Sequence, residues 1–251
     1  MRGYALSSAV PEAPITDAIG SALVANLRRL EQWWRMHLNP EWDDLVNVAL
    51  EYCTETGAVP SDPTYAVVQV VASLPDAPED IAYHTLDASR RPLCLISWAA
   101  VQAEGGTLIG PNGLVSAISH EILESRVDPL CAWTVKQYTG ALNPDGVDEP
   151  MEVCDRVQGS DYEEPCAPGI FVANAVGPRF WIAGQVGLLD IRSDVTTAGV
   201  TSAFDQLPGG YHEAIAANGA VTQVFGDAVP AMKRARLLRT GVRGGMRRAK
   251  R

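Results

Sequence analysis

Apolar residues recur every three or four positions in residues 17–36, where one face carries Ile19, Leu23, Leu27 and Leu30. This period predicts an amphipathic helix. The helix should end near Asn39-Pro40, because the residue before a proline is pushed out of the α region. A short second helix is predicted for residues 42–52. Residues 1–15 show no such period, and we expect them to form an unstructured arm.

Runs of β-branched and aliphatic residues predict the strands. The clearest runs cover residues 65–73 and 91–100, and later runs cover 169–176 and 180–190. The segment 128–150 is expected to be loop, apart from a short strand at 132–138. From Ile191 onward the chain is rich in Gly, Ala and Thr, and no element is assigned there.

A further helix is predicted for residues 114–127, and it is apolar over much of its circumference. Its ionisable residues His120, Glu121 and Glu124 fall inside one arc of roughly 100°. Burying three such groups together is unfavourable unless they are paired or bind a metal ion. The pattern therefore predicts a metal site on this helix, and a solvated polar face is the alternative.

The spacing of these residues suggests how such a site would work. Residues i and i+4 point the same way from adjacent turns, so His120 and Glu124 can reach one cation. Glu121 lies beside them and is the candidate base for a water on that cation. This is the H-E-x-x-H arrangement of metallopeptidases, with glutamate replacing the second histidine.

Such a site needs a third protein ligand, and Glu152 and Asp155 are the candidates. We favour Asp155 because its shorter side chain suits a tight site, and the other carboxylate would then orient His120. Zinc is the expected ion, with calcium and manganese as alternatives, although a histidine ligand disfavours calcium. Two carboxylate ligands would reduce the Lewis acidity of the metal, so a structural or degenerate site remains the alternative to a catalytic one.

Two neighbouring residues are interpreted as structural. His84 is expected to have a structural role, with contact to the surroundings of the metal or to substrate as the alternative. Cys154 lies inside the acidic motif, and we expect it to pack under the site rather than to act as a soft ligand.

Composition narrows the class of protein. Of the 251 residues, 47% are hydrophobic and 20% charged, which allows a sizeable core and excludes a disordered polymer. No run of about eighteen apolar residues exists, and residues 1–20 do not have the pattern of a secretory signal, so neither a membrane span nor a leader is expected. The five cysteines form no CxxC pair, which favours reduced thiols. A Cys154–Cys166 pair is the alternative outside a cell.

Charge is distributed unevenly along the chain. Residues 233–251 hold nine of the 20 Lys and Arg and no acidic residue, so all 30 Asp and Glu lie in the rest of the chain. An acidic body repels nucleic acid and stays in solution. The basic tail 233–251 could bind nucleic acid or an acidic partner, or it could be a solvated end.

The residues around the motif resemble a known family. Ser119–Glu124, the following Asp128-Pro129 and the later Glu152-Val-Cys-Asp155 match a pattern of zincin-like proteins common in phage and prophage genomes. A looser form of the pattern is similar to plant Exordium-type proteins. Segments 82–84, 93–98, 172–174 and 178–181 also resemble the family, so the likeness covers roughly residues 80–182. It implies His120 and Glu124 as ligands, Glu121 as base, and Glu152 or Asp155 completing the site.

The resemblance implies an α/β (α+β) zincin-like fold, in which a small mixed sheet packs on the helix that carries the site. Three regions are expected: N-terminal arm and helices in 1–60, a metal-binding domain in 61–190, and an irregular extension with the basic tail in 191–251. The expected function is a zinc metallopeptidase of phage origin that hydrolyses peptides and binds substrate along an edge strand at 93–100. The alternative is a non-enzymatic component of the phage head or tail that contacts other particle proteins. Either role places the protein in the host cytoplasm or in the virion.

Overall fold

The computed structural model describes residues 3–37, 49–52, 64–196 and 199–226. Its α-helices are α1 (Asp17–His37), α2 (Trp98–Ala103), α3 (Leu114–Val127) and α4 (Val135–Thr139). The strands of its main sheet are β1 (Gly3–Ser8), β2 (Ala49–Tyr52), β3 (Tyr65–Val71), β4 (Ala82–Leu86) and β5 (Pro92–Ser97). Two small hairpins are β6 (Tyr162–Glu163) with β7 (Phe171–Val172), and β8 (Tyr211–Ile215) with β9 (Val221–Phe225). The basic tail, Cys53 and residues 42–48 of the predicted second helix lie outside the described residues.

The main sheet has the strand order β2-β1-β3-β5-β4. β1 runs parallel to β2 and β3, and β3 runs parallel to β5. Only β4 is antiparallel, and it pairs with β5 at one edge of the sheet. The prediction of a mixed α/β protein with a small mixed sheet is therefore confirmed. Residues on both sides of the expected boundary at residue 60 contribute to this one sheet.

The expectation of an unstructured arm at residues 1–15 is wrong. All six residues of β1 are buried, and Tyr4 and Leu6 lie in the hydrophobic core. The Tyr4 hydroxyl donates a hydrogen bond to the carbonyl oxygen of Ile122 on α3 over 3.1 Å. β1 therefore links the sheet to the helix that carries the motif.

The two long helices are where the apolar periods place them. α1 covers the predicted 17–36 segment, and Leu23, Leu27, Leu30 and Trp34 are buried in the core. α3 begins at Leu114 and ends at Val127, as predicted. It contacts α1, β4, β5 and β7.

Several shorter predictions are wrong. Residues 49–52 of the predicted second helix form strand β2, and the strand predicted for 91–100 ends at Ser97, where the Ser97 hydroxyl caps α2. Residues 135–138 of the predicted strand 132–138 belong to helix α4. In the predicted strand 169–176 only β7 forms, and the start of 180–190 belongs to a 3-10 helix, Pro178–Trp181.

The structure also bears on the cysteines and on the possibility of a membrane-spanning helix. The four described cysteines Cys94, Cys131, Cys154 and Cys166 are free thiols, as predicted. Within the described ranges, no helix combines the length and the apolar character needed to cross a membrane.

Candidate metal centre

The face of α3 that carries His120, Glu121 and Glu124 points into the interior of the protein. Glu121 is 1% exposed and Glu124 is fully buried, because α3 is covered on nearly all sides, and Ala117, His120 and Arg126 are its only partly exposed residues. The alternative of a solvated helix face is therefore wrong. Carboxylates buried in this way require compensating partners.

These residues belong to a buried cluster of two histidines and four carboxylates: His84, His120, Glu121, Glu124, Glu152 and Asp155. One half of the cluster is centred on His120. Its Nε2 atom lies 3.1 Å from Glu124 Oε1 and 3.2 Å from Asp155 Oδ1. The Asp155 side chain is 1% exposed and that of His120 is 12% exposed. The structure thus brings together the two expected ligands on α3 and the carboxylate favoured as the third.

The other half is centred on His84, which β4 places opposite α3. His84 Nδ1 lies 3.2 Å from Glu121 Oε2 and 3.5 Å from Glu124 Oε2, while its Nε2 atom lies 3.7 Å from Glu152 Oε2. Glu152 therefore lies beside His84. Its side chain and that of His84 are both almost fully buried.

The turn that carries Asp155 is fixed from three directions. The backbone N–H of Cys154 donates to Glu124 Oε1 over 3.3 Å. Arg156 donates to Glu149 Oε2 over 2.5 Å and to the Phe204 carbonyl over 2.7 Å. A Cβ atom on Gly210 would overlap the Arg156 carbonyl oxygen, so the turn packs closely against the start of β8. These contacts position Asp155 against α3.

Electrostatics couple the two imidazoles to the carboxylates. Burial by itself lowers the pKa of His120, but the charge of Glu124 and a hydrogen bond to Asp155 raise it well above its usual range. Burial likewise lowers the pKa of His84, and contacts with Cys131 and Glu121 outweigh it and raise the pKa well above its usual range. Burial raises the pKa of Glu124, whereas His120 and His84 together hold it well below the usual range. Binding of a metal ion to these imidazoles would displace protons.

The cluster has the donor chemistry and spacing of a metal site. Two ligands at about 2.0–2.1 Å from an ion are about 2.8–3.4 Å apart in octahedral or tetrahedral geometry, and the His120 contacts of 3.1 and 3.2 Å fall in this range. Glu124 Oε2 and His84 Nε2 are buried atoms without a hydrogen-bond partner. Buried polar atoms of this kind are rare unless an ion or a water satisfies them.

Cys154 fits the packing role expected for it. Its thiol donates to the His120 carbonyl oxygen over 3.7 Å. Burial, together with the nearby charges of Glu124 and Asp155, raises the pKa of this thiol well above its usual range. Its Sγ atom also lies within 4.8 Å of ligand atoms of His120 and Glu124, so Cys154 is the alternative soft ligand for that half of the cluster.

His84 is the candidate site residue whose exact position the sequence did not reveal. It lies near three carboxylates, which agrees with the alternative of contact with the surroundings of a metal. Its place depends on the antiparallel pairing of His84 with Cys94, which sets the face of β4 that meets α3. Nothing local in the sequence marks His84 itself.

Comparison of the chain with protein-family models, with curated proteins and with solved structures gives no match.

Proposed function

We propose that this protein binds a divalent transition-metal ion, zinc in the first instance, through His120, Glu124 and Asp155. One observation carries the proposal: His120 Nε2 lies 3.1 and 3.2 Å from one oxygen of each carboxylate, in an almost fully buried environment. A set of one nitrogen and two oxygens suits zinc or manganese better than calcium.

We further propose a zincin-like metallopeptidase organisation around this ion. In support, α3 carries His-Glu-x-x-Glu and packs against β4 and β5, and His84 on the antiparallel edge strand β4 belongs to the same cluster. An extended peptide can add to a sheet edge through main-chain hydrogen bonds. β5 lies between β3 and β4, so the expectation that strand 93–100 is the substrate edge is wrong, and β4 takes that place in the proposal.

The chemistry proposed is hydrolysis of a peptide bond. A zinc ion supplies an acidic water and polarises a carbonyl group. Glu121 follows His120 directly and is the candidate to accept the proton of that water. Its Oε2 atom lies 3.2 Å from His84 Nδ1, so His84 would hold the carboxylate in position. His120 and Asp155 would hold the ion against α3.

A structural metal site in a phage particle component is the second candidate, and burial favours it. The side chains of Glu121, Glu124 and Asp155 are at most 2% exposed, which leaves His120 as the most accessible of the proposed ligands. A site that stabilises the fold can be closed in this way, whereas a catalytic metal needs an open position.

The deciding experiment measures metal content and hydrolysis on the same samples. Wild type, Glu121→Gln and Asp155→Ala are loaded with zinc, dialysed and assayed on a mixed peptide library, with exposed Glu79→Gln as the matched control. If the protein is a peptidase, Glu121→Gln should keep zinc on His120 and lose hydrolysis, while Glu79→Gln should keep both the zinc and the hydrolysis. Hydrolysis absent from zinc-loaded wild type, together with unfolding of Asp155→Ala, would identify a structural site. Wild type without zinc would refute both.

A further inference from the structure

We propose that the protein has a second divalent-cation site, formed by His84, Glu121 and Glu124, which shares the Glu124 carboxylate with the first site. The proposal rests on the metal centre proposed above and extends it from one ion to two.

The donor atoms of this second site have the spacing of the first. His84 Nδ1 lies 3.2 Å from Glu121 Oε2 and 3.5 Å from Glu124 Oε2. One ligand atom from each of the three residues falls within 4.8 Å of the others. The separations are close to the roughly 2.8–3.4 Å expected around one ion with bonds of about 2.0–2.1 Å.

Glu124 has the geometry of a bridging ligand. Its Oε1 atom faces His120 at 3.1 Å, and its Oε2 atom faces His84 at 3.5 Å. The two oxygens of one carboxylate are therefore directed to two different imidazoles. In two-metal sites the ions are about 3.5–4 Å apart, a distance that a bridging carboxylate spans.

An independent observation points to a ligand in the second site. Glu124 is fully buried, and the contact of its Oε2 atom with His84 Nδ1, at 3.5 Å, does not have hydrogen-bond geometry. His84 Nε2 has no hydrogen-bond partner, although that side chain is only 3% exposed. Leaving a buried carboxylate oxygen unsatisfied is unfavourable. A cation beside Glu124 Oε2 removes that cost.

The charge of the cluster also favours two ions. Four almost fully buried carboxylates face the two imidazoles: Glu121, Glu124, Glu152 and Asp155. A ligating imidazole is neutral, so one divalent ion balances half of the carboxylate charge and two balance all of it. Uncompensated buried charge is strongly unfavourable.

A second ion changes the role of Glu121. With Oε2 bound to a cation, this residue is a ligand of the second site as well as the candidate base of the first. Glu121→Gln then lowers the metal content as well as hydrolysis. A residue that acts only as a base would leave the metal content unchanged.

The test is the number of ions per chain, measured by elemental analysis after zinc loading and dialysis, with near-UV circular dichroism as the check of folding. Wild type should hold two ions, and His84→Gln and Glu121→Gln should each hold one. Asp155→Asn should also hold one, retained at the second site, and Glu79→Gln should hold two. Titration of the chelated wild type with Mn²⁺ gives a second readout, because two bridged ions lose the six-line electron paramagnetic resonance signal of isolated Mn²⁺.

The outcomes separate this proposal from the first. One ion in wild type, retained in His84→Gln and Glu121→Gln and lost in Asp155→Asn, overturns the second site and leaves the first intact. No ion in wild type overturns both. The number of ions in wild type distinguishes one site from two by itself, so the test holds even if His84→Gln fails to fold.

Discussion

The backbone N–H of Cys154 donates a hydrogen bond to Glu124 Oε1, the same oxygen that lies 3.1 Å from His120 Nε2. This bond holds the turn that carries Asp155 against α3 by contacts within the chain itself. The proposed ligands are thus brought together before any ion binds, which reduces the ordering that metal binding must supply.

Glu124→Gln should separate metal affinity from the packing of the centre. The amide keeps an oxygen that can accept from Cys154, but it lacks the charge that holds a cation. We expect zinc at a free concentration of 100 times the wild-type dissociation constant to stabilise wild type by about 2.7 kcal/mol and the variant by far less. Thermal unfolding with zinc and with chelator measures this. An equal zinc-induced shift in both proteins would show that Glu124 is not a ligand.

Tyr4→Phe should destabilise the protein without changing the donor atoms of the centre. The Tyr4 hydroxyl donates to the Ile122 carbonyl and accepts from Ser125 over 3.0 Å, all in buried surroundings. Losing it should cost about 1–2 kcal/mol in free energy of unfolding, measured by urea denaturation in chelator. Ser125→Ala is the matched control, and it should cost less because Tyr4 keeps its bond to Ile122. An unchanged midpoint in Tyr4→Phe would show that this link between β1 and α3 contributes nothing.

His212 should make the protein less stable below pH 6.5. Burial and the positive charge of Arg156 lower the pKa of His212 to about 4, against an opposing effect of Asp145. Its Nδ1 atom lies 2.8 Å from Gln206 Oε1, which suits the neutral ring. The unfolded chain takes up the proton near pH 6.5 and the folded chain only near pH 4, so stability falls as pH falls through that window.

The contribution of His212 is isolated by comparison with a variant that does not titrate. Urea denaturation of wild type and His212→Gln at pH 7.5 and pH 5 gives the difference directly. Wild type should lose more stability than the variant between the two values. Glu149 lies 3.7 Å from His212 Nε2 and has a pKa raised by burial, but it titrates in both proteins. Parallel losses in both would refute the prediction.

Gly210→Ala should weaken metal binding from outside the centre. The new Cβ atom would overlap the Arg156 carbonyl oxygen and lie 3.0 Å from that of Asp155, so the turn must move. Displacement of a ligand's support typically costs 10–100-fold in metal affinity, which competition with a fluorescent zinc chelator measures. Thr222→Ala on the exposed face of β9 is the control and should bind zinc as wild type does. Unchanged affinity in Gly210→Ala would show that the turn adapts freely.

The helices that carry continuous apolar stripes were predictable, whereas for the carboxylate beside His120 the sequence left two candidates, Asp155 and Glu152. In α3 the 3.6-residue period and Asp128-Pro129 mark both ends of the helix. α4 also carries a local signal, since Thr134 and Gln137 form a capping box and Gly140 adopts a left-handed conformation after the helix. The segment predicted as strand 91–100 also contains a signal for the start of a helix, because Ser97 is an N-cap residue.

Long-range pairing accounts for the rest of what the sequence did not reveal. β1 is buried throughout and lies between two parallel neighbours, and such strands do not alternate between apolar and polar residues. Ser7 and Ser8 are buried, although serine is typical of loops. The role of His84 depends on its pairing with Cys94 across β4 and β5, which local periodicity does not encode.

The place of β1 in the sheet has a consequence for the order of folding during synthesis. Gly3 pairs with Ala49 on one side and with Tyr65 on the other, so a ribosome releases β1 long before either neighbour exists. Parallel pairs of this kind close late and slowly. Until then the apolar side chains of Tyr4 and Leu6 remain available to chaperones or to other nascent chains.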